Sequence, residues 1–183
     1  DIPKFAKSGL SHTAGMAILF KTDSRSISAK WTTKTKKLGA NMSPIFHSGM
    51  DLYIREGDKW LFAGAARPNT SGTTEHKYTI VKKMAAGEKE CMLYLPMFNG
   101  VSSLEIGIDE GAKIEPLASP FKHRIFFVGS SITHGASACR PGASYVARIG
   151  RILNAETPNI GVSGQRKLND FYRMRQQGGR LYI

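Results

Sequence analysis

Cysteine is scarce in this chain, acidic residues are scarce in its last third, and no run of about eighteen apolar residues occurs anywhere. The missing apolar run excludes a membrane-spanning helix, and no membrane partner is expected. Two cysteines, Cys91 and Cys139, cannot build a disulfide framework or a zinc site. Cys91 lies in the apolar run CMLYLPMF and reads as a buried core thiol. His12, His47, His76, His123 and His134 stand singly, without a ligand spacing such as H-E-x-x-H, so neither a metal nor a cofactor is expected. Residues 1–10, DIPKFAKSGL, lack the apolar core of a signal peptide, as the mature form of a secreted protein also would.

What is present is an ordinary globular composition, 41% hydrophobic and 22% charged, over 183 residues, enough for one large domain or two small ones. The net charge of +12 is uneven. Residues 1–120 hold 16 Lys and Arg against 12 Asp and Glu, whereas residues 121–183 hold 10 against 2. The densest cationic run, TTKTKK with Lys34, Lys36 and Lys37, alternates with threonine as a solvated strand edge does. The charge therefore reads as solvated surface, and no nucleic-acid partner is expected.

Period-two alternation governs residues 1–110. Met16, Ile18 and Phe20 share one face, as do Ile27, Ala29 and Trp31, and Leu104, Ile106 and Ile108. DLYIRE and KWLFAG flank Gly57-Asp58 as a hairpin. About six or seven short strands without a convincing helix predict an all-β, jelly-roll-like sandwich. Residues 111–123, with two prolines and no periodicity, read as a linker. From residue 124 the pattern changes. Arg124–Val128 is a short continuous apolar run, expected as a strand buried on both faces. Tyr145, Ile149, Ile152 and Leu153 recur at helical spacing, Asn159–Val162 reads as a second strand, and Leu168, Phe171, Tyr172 and Arg175 as a second helix. Leu181–Ile183 resembles the start of a third strand. This order predicts a parallel α/β sheet over residues 124–183, incomplete at three strands.

Chemistry concentrates in VGSSITHGASACRPG, which follows the first α/β strand. Ligands bind outside the carboxyl ends of strands in such sheets. Gly129 and Gly135 permit a sharp turn, Ser131 can present a hydroxyl, and nearby N–H groups can receive an oxyanion. From the residues alone the loop reads equally as a catalytic turn or as a small polar connection.

The stretch V-G-S-S-I-T-H-G resembles the first block, G-D-S-[IL]-T-x-G, of the SGNH (GDSL-type) hydrolases. The resemblance makes Ser131 the nucleophile, with Ser130 replacing the usual aspartate. Asn159-Ile160-Gly161-Val162-Ser163-Gly164 is similar to the second block, which implies that the Gly164 N–H joins that of Ser131 in an oxyanion hole. Gly49-Met50-Asp51-Leu52-Tyr53 resembles the G-x-D-L-Y motif of a β-sandwich that precedes such hydrolases in some bacterial proteins, and KWLFAGAARP fits the same pattern. The expected architecture is thus a sandwich followed by the start of a flavodoxin-like SGNH domain. The expected activity is hydrolysis of an O-acyl ester of a carbohydrate or small molecule, in a secreted or periplasmic bacterial protein.

The family's later blocks supply an oxyanion-hole asparagine and a D-x-x-H pair. No aspartate in these 183 residues has a histidine three positions on, and Asn169-Asp170 precedes the third strand. A serine without its base is a poor nucleophile, so the chain is expected to be an inactive fragment of an enzyme, an incompletely read sequence, or a remnant that no longer catalyses. His134 sits in the serine loop, but the family's base comes from elsewhere. Asp51 and Tyr53 are expected to serve a turn and a core rather than to shape a substrate pocket. The alternative function is a glycan-binding sandwich with a non-catalytic α/β appendage, which an exposed pair of Trp31 and Trp60 would favour.

Overall fold

The computed structural model describes residues 11–164. Its first part is a two-sheet antiparallel sandwich. In chain order the elements are β1 (Ala17–Thr22), β2 (Ile27–Thr33), the short helix α1 (Pro44–Ser48), β3 (Met50–Glu56), β4 (Lys59–Ala66), β5 (Glu75–Val81), β6 (Lys89–Tyr94), β7 (Val101–Ile108) and β8 (Ile114–Pro116). One sheet runs β4-β3-β6-β1-β8 and the other β5-β2-β7. The predicted alternation holds: Ile27, Ala29 and Trp31 from one sheet meet Phe20, Leu52, Cys91 and Leu93 from the other in a single core. Burial there pushes the Cys91 thiol up to about 12. The β3–β4 hairpin turns at Gly57-Asp58 as expected.

Three local expectations change. The stretch expected to be linker opens with β8, which pairs with β1 at the edge of the larger sheet. The TTKTKK run leaves β2 after Thr33, and its lysines lie in an exposed loop rather than on a strand edge. Helix α1 was not visible as a period, being five residues long. It is built locally, with Ser43 accepting from the Phe46 N–H as N-cap and Pro44 opening the first turn.

The α/β part comprises β9 (His123–Arg124), β10 (Phe127–Gly129), α2 (Ser131–His134), a 3₁₀ turn (Pro141–Ala143), α3 (Tyr145–Leu153), β11 (Ala155–Glu156) and β12 (Asn159–Gly161). Both strand pairs, β9 with β11 and β10 with β12, are parallel. The Ile125 N–H donates to the Glu156 carbonyl and the Phe127 N–H to the Pro158 carbonyl, so the ladder continues between the pairs. The 124–128 strand is therefore interrupted, and it is half-buried rather than sealed on both faces. Among the described residues it has a strand neighbour on one side only.

Helix α3 runs where its spacing predicts, capped by Ser144 and ended by Asn154 in the left-handed region. Its buried face is not the predicted one. Val146, Ala147 and Gly150 point inward, while Ile152 is 76% exposed and Tyr145 and Leu153 are also exposed. Small residues win because α3 lies close to large ones: Ala147 packs among Tyr53, Trp60, Met92 and Tyr94 on the outer face of the larger sheet. The central strands of that sheet, β3 and β6, are consequently covered on both faces, while much of β4 and all of β8 stay exposed.

Asp51 sits in the seam between the two parts. It is fully buried, its Oδ2 accepts the Gly142 N–H at 3.0 Å, and the Arg140 Nε lies 3.1 Å from the same oxygen. The Arg140 guanidinium lies 4.1 Å from the Phe62 ring centre, and that of Arg151 lies 4.0 Å from that of Tyr53 while donating to the Gly142 carbonyl at 2.7 Å. A Cβ on Gly142 would fall 2.5 Å from the Tyr53 ring, so only glycine fits. Desolvation raises the Asp51 carboxyl to about 7, against the lowering pull of Arg140, the Gly142 N–H and Arg151.

A carboxyl raised above its unfolded value of about 4 favours the folded state most when protonated. The linked stability is complete below about pH 4 and is lost as pH climbs through about 7. Asp51→Asn removes this titration and keeps an acceptor for Gly142. Thermal melts should show the variant's Tm gaining on that of the wild type between about pH 5 and pH 8. A gap that stays flat or narrows over that range contradicts this account of the seam.

Candidate active site

Strands β10 and β12 end side by side, with Gly129 opposite Gly161 in the parallel register. Ser130 and Ser131 follow the first strand, and Val162, Ser163 and Gly164 the second. The Val162 N–H donates to the Gly129 carbonyl at 2.9 Å, joining the two loops where they leave the sheet. Ser131 and Gly164, the two residues singled out by sequence, thus emerge at one edge of the sheet, the edge where α/β proteins bind ligands.

The turn between Gly129 and Gly135 is compact. Ser130 is the N-cap of α2 and Ser131 its first residue. First-turn N–H groups have no intrahelical acceptor, so the Ser131 N–H is not used by the helix itself. The Gly135 and Ala136 N–H groups close on the Ser131 carbonyl at 3.0 and 2.8 Å. The helix folds back so tightly that a Cβ on Gly129 would collide with the Thr133 hydroxyl, and one on Gly161 with the His134 backbone nitrogen. Ser131 is half-buried and its neighbour Ile132 is 70% exposed, while Thr133 and His134 face inward.

Two residues that the motifs did not single out hold this turn. The Asn159 Nδ2 donates to the Thr133 carbonyl at 2.7 Å, and its Oδ1 accepts the Gly161 N–H at 2.9 Å, tying the first block to the second. The Tyr145 hydroxyl donates to the Thr133 Oγ1 at 3.0 Å. Tyr145 was expected among the helix's packing residues, and periodicity carries no signal for such a bond. Asn159 was legible only as the opening residue of the second block.

His134 faces away from this edge. Its Nε2 pairs with the Met97 carbonyl at 2.6 Å, which requires the proton on that nitrogen, and its ring stacks on Phe98 at 4.1 Å. Burial lowers its pKa. The histidines are less scattered in space than in sequence, for His12 lies 5.3 Å from His134, centre to centre. Burial first, then the charges of His134, His47 and Lys34, bring His12 down to about 4. His47 bonds Ser48 through Nδ1 at 2.8 Å. His76 bonds Thr33 and the Asn69 N–H, and His123 lies in β9, at the far end of the strand pair from Ser131. Among the described residues no three potential metal ligands converge.

Cys139 is exposed, and its carbonyl accepts the Ser43 hydroxyl at 2.7 Å. Asp51 and Tyr53 lie behind the loop in the seam rather than at the open edge. Trp31 and Trp60 are both buried, so the exposed tryptophan pair that would favour glycan binding is absent. Asn169, Asp170, the expected second helix and the third strand lie outside the described residues.

Comparison with known proteins agrees with this layout. A family model described as the N-terminus of SGNH-hydrolase-type esterases, named for its GxDLY motif, matches residues 1–114. A model of the GDSL-like lipase/acylhydrolase family matches residues 122–174. Among solved structures, a protein from Bacteroides ovatus assigned to the GDSL-like lipases is 37% identical, with a TM-score of 0.92 over 98% of this chain and 52% of its own. The salicylyl-acyltransferase SsfX3 of a tetracycline biosynthetic pathway shares the fold at 22% identity and a TM-score of 0.65, covering 88% of this chain and 43% of its own. A family two carbohydrate esterase from Clostridium thermocellum, solved with cellohexaose, shares it at 16% identity and 0.62, covering 84% and 46%. The chain thus spans about half the length of these proteins. No curated protein matches. A GxDLY match over most of the described sandwich, followed in order by a GDSL-like match over the serine loop, establishes that the chain belongs to the SGNH-hydrolase-type esterase family with a GxDLY N-terminal domain.

Proposed function

We propose that the protein carrying this chain is a serine esterase that removes an O-acyl group from a carbohydrate or similar small ester outside the cytoplasm. The observation that carries the reading is the register of Gly129 against Gly161, which brings the loops of Ser131 and Gly164 out at one sheet edge. Ser131 Oγ attacks the ester carbonyl carbon while a base takes its proton. The N–H groups of Ser131 and Gly164 receive the charge that forms on the carbonyl oxygen. Collapse expels the alcohol, which leaves with that proton, and water then releases the acid from the acyl-serine by the same route. The carbohydrate preference rests on the likeness to an esterase solved with cellohexaose.

The base is assigned to none of the histidines in these 183 residues. His134, His47 and His76 are buried in the sandwich or its seam, His12 is half-buried against Phe98 and His134, and His123 lies at the wrong end of the strands. By itself the 183-residue chain should therefore hydrolyse an aryl acetate little faster than buffer. In the full-length protein Ser131→Ala should lower kcat by at least about 10³-fold with an unchanged circular dichroism spectrum. Retention of the wild-type rate would refute the serine assignment and turn attention to Cys139.

Asn159→Ala frees both the Thr133 carbonyl and the Gly161 N–H, loosening Ser131 against Gly164. The expected result is a fall in kcat of about tenfold or more at nearly constant KM, since small misplacements of reacting groups are costly. An unchanged kcat in a folded variant would show that the turn holds its shape without this clamp.

A further inference from the structure

We propose that Asp51, the acidic residue of the sandwich's GxDLY motif, is a positioning residue for the esterase site, acting through the Gly142 N–H on the loop that runs from Ser131 to α3. The proposal rests on the esterase reading of Ser131. Fold and site are joined here by a short series of contacts. Asp51 Oδ2 holds the Gly142 N–H at 3.0 Å, and Arg151 holds the carbonyl of the same residue at 2.7 Å. Three residues on, the Tyr145 hydroxyl bonds the Thr133 Oγ1 at 3.0 Å, inside the Ser131 turn. The other end of the loop, Gly135, closes on the Ser131 carbonyl at 3.0 Å and packs against Met97 and Phe46 of the sandwich. Midway, the Ser43 hydroxyl holds the Cys139 carbonyl at 2.7 Å. The loop behind the serine is thus fastened to the sandwich at its start, middle and end.

The chemistry of Asp51 favours this role over simple packing. Its carboxyl is completely buried, and its Oδ1 has no hydrogen-bond partner among the described residues. An apolar side chain would dock two domains at lower desolvation cost. It could not accept the Gly142 N–H, which Tyr53 screens from water by lying over that glycine. The groups facing the carboxyl are Arg140 and Arg151 from the α/β part and Tyr53 from its own strand. An oxygen acceptor there fixes the Gly142 N–H at one point, so the loop has one seating rather than a sliding apolar contact.

The test compares Asp51→Ala and Asp51→Asn in the full-length protein by steady-state kinetics, circular dichroism and amide hydrogen exchange at Gly142. Asp51→Ala should lower kcat about tenfold or more with KM within about threefold, and should speed Gly142 exchange. Asp51→Asn, whose amide oxygen can take the same N–H, should recover most of the kcat and the slow exchange. Should Asp51→Ala fail to fold, Asp51→Asn together with Tyr145→Phe decides: near-wild-type kcat in the first and a reduced kcat in the second are expected. A folded Asp51→Ala with kcat within about twofold of the wild type, or an Asp51→Asn no better than Asp51→Ala, overturns the proposal. So does an unchanged kcat in Tyr145→Phe. Gly142 exchange does not depend on turnover, so a failure of the Ser131 assignment shows separately, as activity persisting in Ser131→Ala.

Discussion

One of the buried hydrogen bonds across the seam, from the Gly142 N–H to the Asp51 carboxyl, fixes how the loop behind the serine meets the sandwich. Around it the geometry leaves little freedom. Gly142 must lack a side chain because Tyr53 occupies the space, and Tyr53 in turn carries Arg151, which binds the Gly142 carbonyl. Removing either partner would strand a polar group away from water, the costlier kind of loss in a protein interior. The contact therefore specifies one arrangement of loop on sheet, whereas the surrounding apolar packing supplies most of the attraction without choosing among nearby arrangements.

That arrangement explains why the larger sheet is built as it is. An antiparallel sheet commonly leaves one face to water, and here Met92, Tyr94, Tyr53 and Trp60 cover the second face as well. The α/β part is seated on this apolar face by α3, whose Ala147 allows close approach, and by the loop that follows the serine turn. On the far side of that loop, β10 and β12 end in register and give Ser131 and Gly164 a common edge. The sandwich is in this sense part of the scaffold of the site.

Most of the sandwich was legible because alternation survives wherever one face is core: Ile27, Ala29 and Trp31 read correctly. The run CMLYL carried a further signal, since apolar residues at both parities mark a strand covered on both sides. Helix α1 escaped because five residues are too few to show a period, although Ser43-Pro44 is a capping pair. Helix α3 was located correctly and turned the wrong way. Its largest apolar residues are exposed, because the face that meets Tyr53 and Tyr94 is made by Ala147 and the Arg151 guanidinium, and that choice depends on neighbours distant in sequence. The Ser131 loop was found through its place after a strand and the resemblance of V-G-S-S-I-T-H-G to the first SGNH block. Its supports, Asn159, Tyr145 and Asp51, act across the fold, and no local pattern announces a hydrogen bond between residues so far apart in the chain.

The central claim is that the Ser131 hydroxyl is the nucleophile at the edge shared by β10 and β12. Its most direct test is covalent labelling of the full-length protein with a fluorophosphonate, followed by fragmentation of the tryptic peptide spanning residues 125–148, the Arg140–Pro141 bond being resistant to trypsin. That peptide also contains Ser130, Ser137 and Cys139, so the site of attachment discriminates among every nucleophile in the loop. The account predicts a single phosphonyl adduct on Ser131 that forms with loss of esterase activity. An adduct on Ser130 or Cys139, or inactivation with Ser131 unmodified, would contradict it.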